Sequence, residues 1–156
     1  MAGSDDHDVD APVRGSSPVR PHAPPLVPLL SWRVRDLPPV PACVGDVRRR
    51  ARAVLTEWDA AAVEPEVLLL LTELTANVVR HAGTPFDVTL TWDGHRVRCE
   101  VADGDPTAPR LRSPAPDDPG GRGLHLVDEL ADRWGVREAG SGKTVWFELA
   151  VPPPTG

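Results

Sequence analysis

Residues 64–105 read EPEVLLLLTELTANVVRHAGTPFDVTLTWDGHRVRCEVADGD, and a change of period inside them decides the fold. Over the first half, Val67, Leu71, Leu74 and Val78 recur at the spacing of one helical stripe. Glu64-Pro65 opens this helix, with proline near the first turn and acid near the positive end of the dipole. It runs to about His81, and Gly83 closes it. Beyond Gly83 the period drops to two. Phe86, Val88, Leu90 and Trp92 alternate with Asp87, Thr89 and Thr91, and Val97, Cys99 and Val101 alternate on a return strand. Asp93-Gly94 between them reads as a two-residue hairpin turn.

Upstream, Leu30, Trp32 and Val34 alternate with polar residues as a strand, and the Pro38–Pro41 cluster breaks the chain. A helix follows over about 42–58, with Val44, Val47, Ala51, Val54, Leu55 and Trp58 on its buried face. Downstream, residues 103–123 hold five prolines and four glycines, a long irregular loop of the kind that often carries function. Leu124, Val127, Leu130, Ala131 and Trp134 then make a third helix, ended by Gly135. A short strand over 136–138, a turn over 139–142 and a last strand over about 144–151 complete the pattern. The order β-α-α-β-β-loop-α-β-β predicts an α+β two-layer sandwich: a mixed, mainly antiparallel sheet with helices on one face. The Pro- and Asp-rich stretch 1–28 reads as a disordered tail, 29–152 as one domain and 153–156 as a short tail.

Composition narrows the function classes. The 156 residues carry 17 Lys+Arg against 23 Asp+Glu, a net charge of −6, which argues against nucleic-acid binding and against docking on an anionic membrane. No apolar run is long enough to span a membrane. The start MAGSDDHDVD has no apolar signal region, which predicts a cytoplasmic chain. Cys43 and Cys99 make neither a disulfide framework nor a metal site; Cys99 reads as a small core residue. Sixteen of the seventeen basic residues are arginine, and the one lysine is Lys143.

Three clusters could carry chemistry. On the second helix, Glu73 and Asn77 are four residues apart; four residues advance ~400°, so both side chains leave the helix within ~40° of each other. A carboxylate accepts a proton and a carboxamide oxygen ligates a hard cation, which suits a general base beside a Mg²⁺ ligand. An exposed polar helix face is the plainer reading of such a pair, and a dipole-stabilised helix end that of His81. Asp103-Gly104 follows a buried strand: its carboxylate could accept from an exocyclic amine, and the glycine permits close approach; alone it is an ordinary turn. Gly120-Gly121-Arg122-Gly123-Leu124 opens a helix whose free N–H groups suit a phosphate, with a glycine-rich hinge as the alternative. It is neither a P-loop nor a dinucleotide fingerprint.

In this order, Glu-Leu-x-x-Asn-x-x-x-His-Ala over 73–82, Asp103-Gly104, the Gly-Gly-Arg-Gly helix start and Gly-Lys-Thr-Val-Trp-Phe-Glu-Leu over 142–149, the chain resembles the histidine-kinase-like ATPase superfamily. Within it the chain looks most like the small anti-sigma-factor type of serine/threonine kinase. The resemblance implies that ATP and Mg²⁺ bind between helices and sheet under a mobile lid, here 106–120. It implies Glu73 as general base, Asn77 as Mg²⁺ ligand and Asp103, beside Gly104, as acceptor for the adenine amine. Gly121, Arg122, Gly123 and Leu124 would line the triphosphate, and Thr144 would sit near the adenine beside Asp103. Asp105-Pro106 departs from the superfamily's usual Asp-x-Gly-x-Gly, and Val78 replaces the usual alanine after the asparagine. The implied partners are an anti-sigma-factor antagonist as substrate and a sigma factor, and dimers are common in the family resembled. The rival readings are a nucleotide-gated binding module without phosphoryl transfer and a detached sensor-kinase ATPase domain.

Overall fold

The structure, a computed structural model, describes residues 29–107 and 123–153. Strand β1 (Leu30–Leu37) leads into helix α1 (Pro41–Glu57), then a 3₁₀ turn (Ala61–Val63) and helix α2 (Glu64–Asn77). The chain turns through one π-helical turn (Val78–Ala82) into the hairpin β2 (Phe86–Trp92) and β3 (Arg96–Asp103). Helix α3 (Gly123–Leu130) and strands β4 (Arg133–Ala139) and β5 (Gly142–Ala150) follow. The five strands form one sheet in the order β1-β2-β3-β5-β4. Among the described residues every pairing is antiparallel, so the sheet they form is not mixed. The α+β two-layer reading is what the structure shows.

Alternation decides which sheet face is covered. Phe86, Val88 and Leu90 of β2, Val97, Cys99 and Val101 of β3, and Val145, Phe147 and Leu149 of β5 are buried together with the helix stripes. α2 is the central helix: it packs on β3 and lies against both α1 and α3. It buries Leu68 and Leu70 as well as Val67, Leu71 and Leu74. Thr75, also buried, satisfies its hydroxyl by donating to the Leu71 carbonyl at 2.8 Å. The opposite face of the sheet is polar. There Arg98 donates to Glu148 at 2.9 Å and lies over the Trp146 ring, 4.1 Å from its centroid.

Three local expectations change. The two-residue hairpin loop is Gly94-His95, one position later than Asp93-Gly94. Gly94 takes φ 90°, while the Asp93 carboxylate accepts the N–H groups of His95 (2.8 Å) and Arg96 (2.7 Å). The third helix ends at Leu130, and Trp134 and Gly135 lie in β4, paired with Phe147 and Trp146. Gly135 does not stop a helix; a Cβ there would meet Trp146 Cζ2 at 2.9 Å, so the glycine makes room for the indole. The last strand starts at Gly142, two residues earlier than its apolar alternation suggests. The tail expected over 1–28 lies outside the described residues.

Candidate functional site

Glu73 and Asn77 stand one turn apart at the C-terminal end of α2, both half-buried. Neither side chain makes a hydrogen bond or ion pair with a described residue. A carboxylate and a carboxamide in that state are set for a ligand or for water rather than for the fold. The helix widens directly after Asn77. The π-turn over Val78–Ala82 closes with Gly83 N–H donating to the Val78 carbonyl at 2.9 Å, and Gly83 takes φ 61°. π-turns inside helices recur at functional sites.

Thr84, just past that end, ties the helix to the sheet: its Oγ1 accepts the Gly104 N–H at 2.8 Å. Asp103, the last residue of β3, therefore sits beside the helix end. It has the same parity as Val97, Cys99 and Val101 and faces the helical side, with its side chain only 3% exposed. Its Oδ1 accepts the Asp105 N–H at 2.9 Å and Lys143 Nζ at 3.1 Å. Lys143, itself 9% exposed in its side chain, also donates to the Asp105 carbonyl at 3.0 Å. Asp105 then accepts the Thr107 N–H at 2.9 Å, which holds its carboxyl below the usual carboxylate range.

Register decides which residue of β5 meets Asp103. The pairs are Asp103↔Lys143 and Ala102↔Thr144. Lys143 shares a face with Val145 and Phe147, so it points to the same side as Asp103; Thr144 is buried on the polar side of the sheet. Thr144 is therefore not brought to the Asp103 carboxylate, and Lys143 takes that place. The pairing needs Gly142: a Cβ there would collide with the Asp103 carbonyl oxygen.

Gly123 opens α3, and Leu124 is buried in the core, where it anchors the helix start. Gly121, Arg122 and nearly all of the expected lid over 106–120 lie outside the described residues. Thr84 lies in none of the motifs, and Gly142 and Lys143, though part of the Gly-Lys-Thr motif over 142–149, were given no role from it. Lys143 carried a usable signal, being the only lysine and having the parity of Val145, Phe147 and Leu149.

Among the described residues, no three His, Cys, Asp or Glu side chains gather to hold a metal. A magnesium ion carried by a nucleotide needs few protein ligands, since phosphates and waters supply most oxygens. The Asn77 carboxamide, one helical turn from Glu73 and without a partner among the described residues, fits that demand. An open hollow of about 270 Å³ on the polar face, lined by Arg96, Arg98 and Arg133, lies at the other end of β3 and is not this site. No helix among the described residues is long and apolar enough to cross a membrane.

Comparison with known proteins bears on the same region. A family model described as histidine kinase-like ATPase domain matches residues 37–149, which include Glu73, Asn77, Asp103 and Lys143. An uncharacterized protein of Streptomyces coelicolor is 43% identical over 91 residues, covering 54% of this chain and 85% of that protein. Among solved structures, the RsbU and RsbW domains of a Mycobacterium tuberculosis protein match with a TM-score of 0.58 at 19% identity. That match covers 81% of this chain and 34% of the other, and it shows a shared fold.

Proposed function

This chain belongs to the histidine kinase-like ATPase domain family, and from that premise we propose that it binds Mg-ATP between α2 and the end of β3 and acts as a serine/threonine protein kinase of the anti-sigma-factor type. The observation that carries the proposal is the half-buried Glu73–Asn77 pair, one turn apart and without partners among the described residues, beside the buried Asp103.

In this reading Asp103 accepts a hydrogen bond from the base. Asn77 holds the magnesium ion, which when bound offsets negative charge on the phosphates. Glu73 lies one helical turn before Asn77 and faces the same cleft. A serine or threonine hydroxyl of a partner protein attacks the γ-phosphorus; the bond to the ADP oxygen breaks, and the hydroxyl proton passes to the Glu73 carboxylate. The products are a phosphorylated partner and ADP. Positioning and electrostatics supply most of the catalysis of such transfers, which suits a site with a base and a cation ligand on one rigid helix.

The proposed partners are an antagonist protein as substrate and a sigma factor as the regulated target, following the motif resemblance over 73–82 and 142–149. The test is single-turnover transfer from radiolabelled ATP to candidate antagonist proteins. The wild type should label a partner, and Glu73→Ala should retain ATP binding while losing at least about a hundredfold in transfer rate. Equal transfer by Glu73→Ala would remove the assigned base. Nucleotide binding with no transfer to any partner would leave a nucleotide-gated binding module instead.

A further inference from the structure

We propose that Lys143 is a positioning residue for the nucleotide base: it holds the Asp103 carboxylate so that Oδ2 meets the 6-amino group of adenine. This rests on the proposed reading of Asp103 as the base acceptor. A carboxylate at a strand end turns about its own side-chain bonds, and one hydrogen bond leaves much of that freedom. At Asp103 the bond from the Asp105 N–H to Oδ1, at 2.9 Å, is local, coming from two residues further along the chain. The second grip comes from the neighbouring strand. Lys143 of β5 donates to the same Oδ1 at 3.1 Å and to the Asp105 carbonyl at 3.0 Å. One ammonium thus ties the carboxylate, the backbone of the residue that also bonds it, and β5 into a single unit.

Both of these bonds to the carboxylate end on Oδ1, and Oδ2 has no hydrogen-bond partner among the described residues. Nor is Oδ2 sealed away: among those residues the one side-chain oxygen both sealed and unpartnered is Glu66 Oε2. A buried carboxylate that served only the fold would have both oxygens satisfied. The two side chains are 3% and 9% exposed, so the bond between them is strong, and removing the ammonium leaves an uncompensated charge. Thr144 cannot replace it, because Thr144 lies on the other face of the sheet. Adenine presents an N6–H donor to such an oxygen. Without Lys143, Oδ2 is no longer aimed and the amine loses its acceptor, while groups on α2 still meet the phosphates. Lysine and amine are therefore coupled: each contributes less when the other is missing.

The experiment is calorimetric titration of the full chain with Mg-ATP and with the magnesium complex of purine riboside triphosphate, which differs from ATP only in lacking the 6-amino group. Wild type, Lys143→Met and Lys143→Gln are compared, each checked for folding by circular dichroism. The wild type should prefer ATP at least about tenfold. Lys143→Met should weaken ATP at least about tenfold and the amine-free nucleotide less than about threefold, so that the preference collapses. Lys143→Gln keeps two N–H donors and should retain part of it. A wild-type preference that Lys143→Met leaves unchanged, or equal weakening of both nucleotides, would overturn the proposal and leave the reading of Asp103 standing. If the wild type binds the two alike, or binds neither, that reading falls and this proposal with it. A second measurement needs no substitution. Lys143 is the only lysine, so selective ¹⁵N-lysine labelling gives one side-chain ammonium signal. It should shift more on Mg-ATP than on the amine-free nucleotide, because only the amine engages the carboxylate that the ammonium holds. Equal shifts with both would overturn the proposal even where neither variant folds.

Discussion

A methyl group at position 142 would collide with the Asp103 carbonyl oxygen, and its nearest other neighbours are the Asp103 carbonyl carbon and Gly104 Cα. All three are backbone atoms of the strand that carries the candidate base acceptor, so nothing flexible can yield. Gly142→Ala should therefore cost about 1–3 kcal/mol in denaturant unfolding, and it should weaken nucleotide binding by shifting Asp103 from Lys143. Stability unchanged within about 0.5 kcal/mol would show that β5 does not approach Asp103 as described. The two cysteines differ in the same local way. Burial pushes the Cys99 thiol far up, whereas Cys43 is only partly buried. The thiolate is the reactive form. Iodoacetamide should therefore label Cys43 in the native protein and Cys99 only as the chain unfolds, with mass spectrometry reading the order. Because the folded thiol ionises later than the unfolded one, Cys99 stabilises the fold fully below the ordinary thiol range. That contribution fades as pH rises above the range.

At the scale of elements, α2 and its π-turn frame the candidate site. The apolar stripe of 67–78 was legible in the sequence because α2 must bury a continuous face, and the Glu73–Asn77 spacing came with it. The widening after Asn77 was not, since the π-turn over 78–82 keeps an apolar, helix-like composition. Gly83 ends the turn at φ 61°, where a side chain is strained although the space around it is open. Gly83→Ala should cost about 1 kcal/mol of stability, measured by urea unfolding. A loss indistinguishable from zero would mean that the helix end relaxes without its left-handed residue. The C-terminal strands were read less well for a related reason. Trp134 fits either a helix stripe or an inward strand position, and Gly135 looks like a helix stop until the Trp146 indole opposite it is known. Lys143 escaped because a charged residue between two glycine-rich positions and an apolar run reads as turn, although its parity already placed it with Val145.

For the whole molecule, an antiparallel sheet covered on one face by three helices leaves the strand ends and the C-terminal end of α2 at one edge of the helical layer. Thr84 couples the two through Gly104, and the buried Asp103–Lys143 pair completes the floor. Removing one partner of a buried ion pair leaves an uncompensated charge, which typically costs about 3–5 kcal/mol. A ligand that binds only the folded state raises stability by mass action, about 2.7 kcal/mol at a hundred times its dissociation constant. Saturating Mg-ATP should accordingly raise the melting temperature of the wild type. The measurement that bears most directly on the central claim is titration of the purified full chain with ATP, with and without Mg²⁺, for wild type and Asn77→Ala. Binding should depend on Mg²⁺, and Asn77→Ala should weaken it at least about tenfold while the fold, read by circular dichroism, is unchanged. Binding of equal strength in both proteins, indifferent to Mg²⁺, would contradict the assignment of the α2 cleft as the nucleotide site.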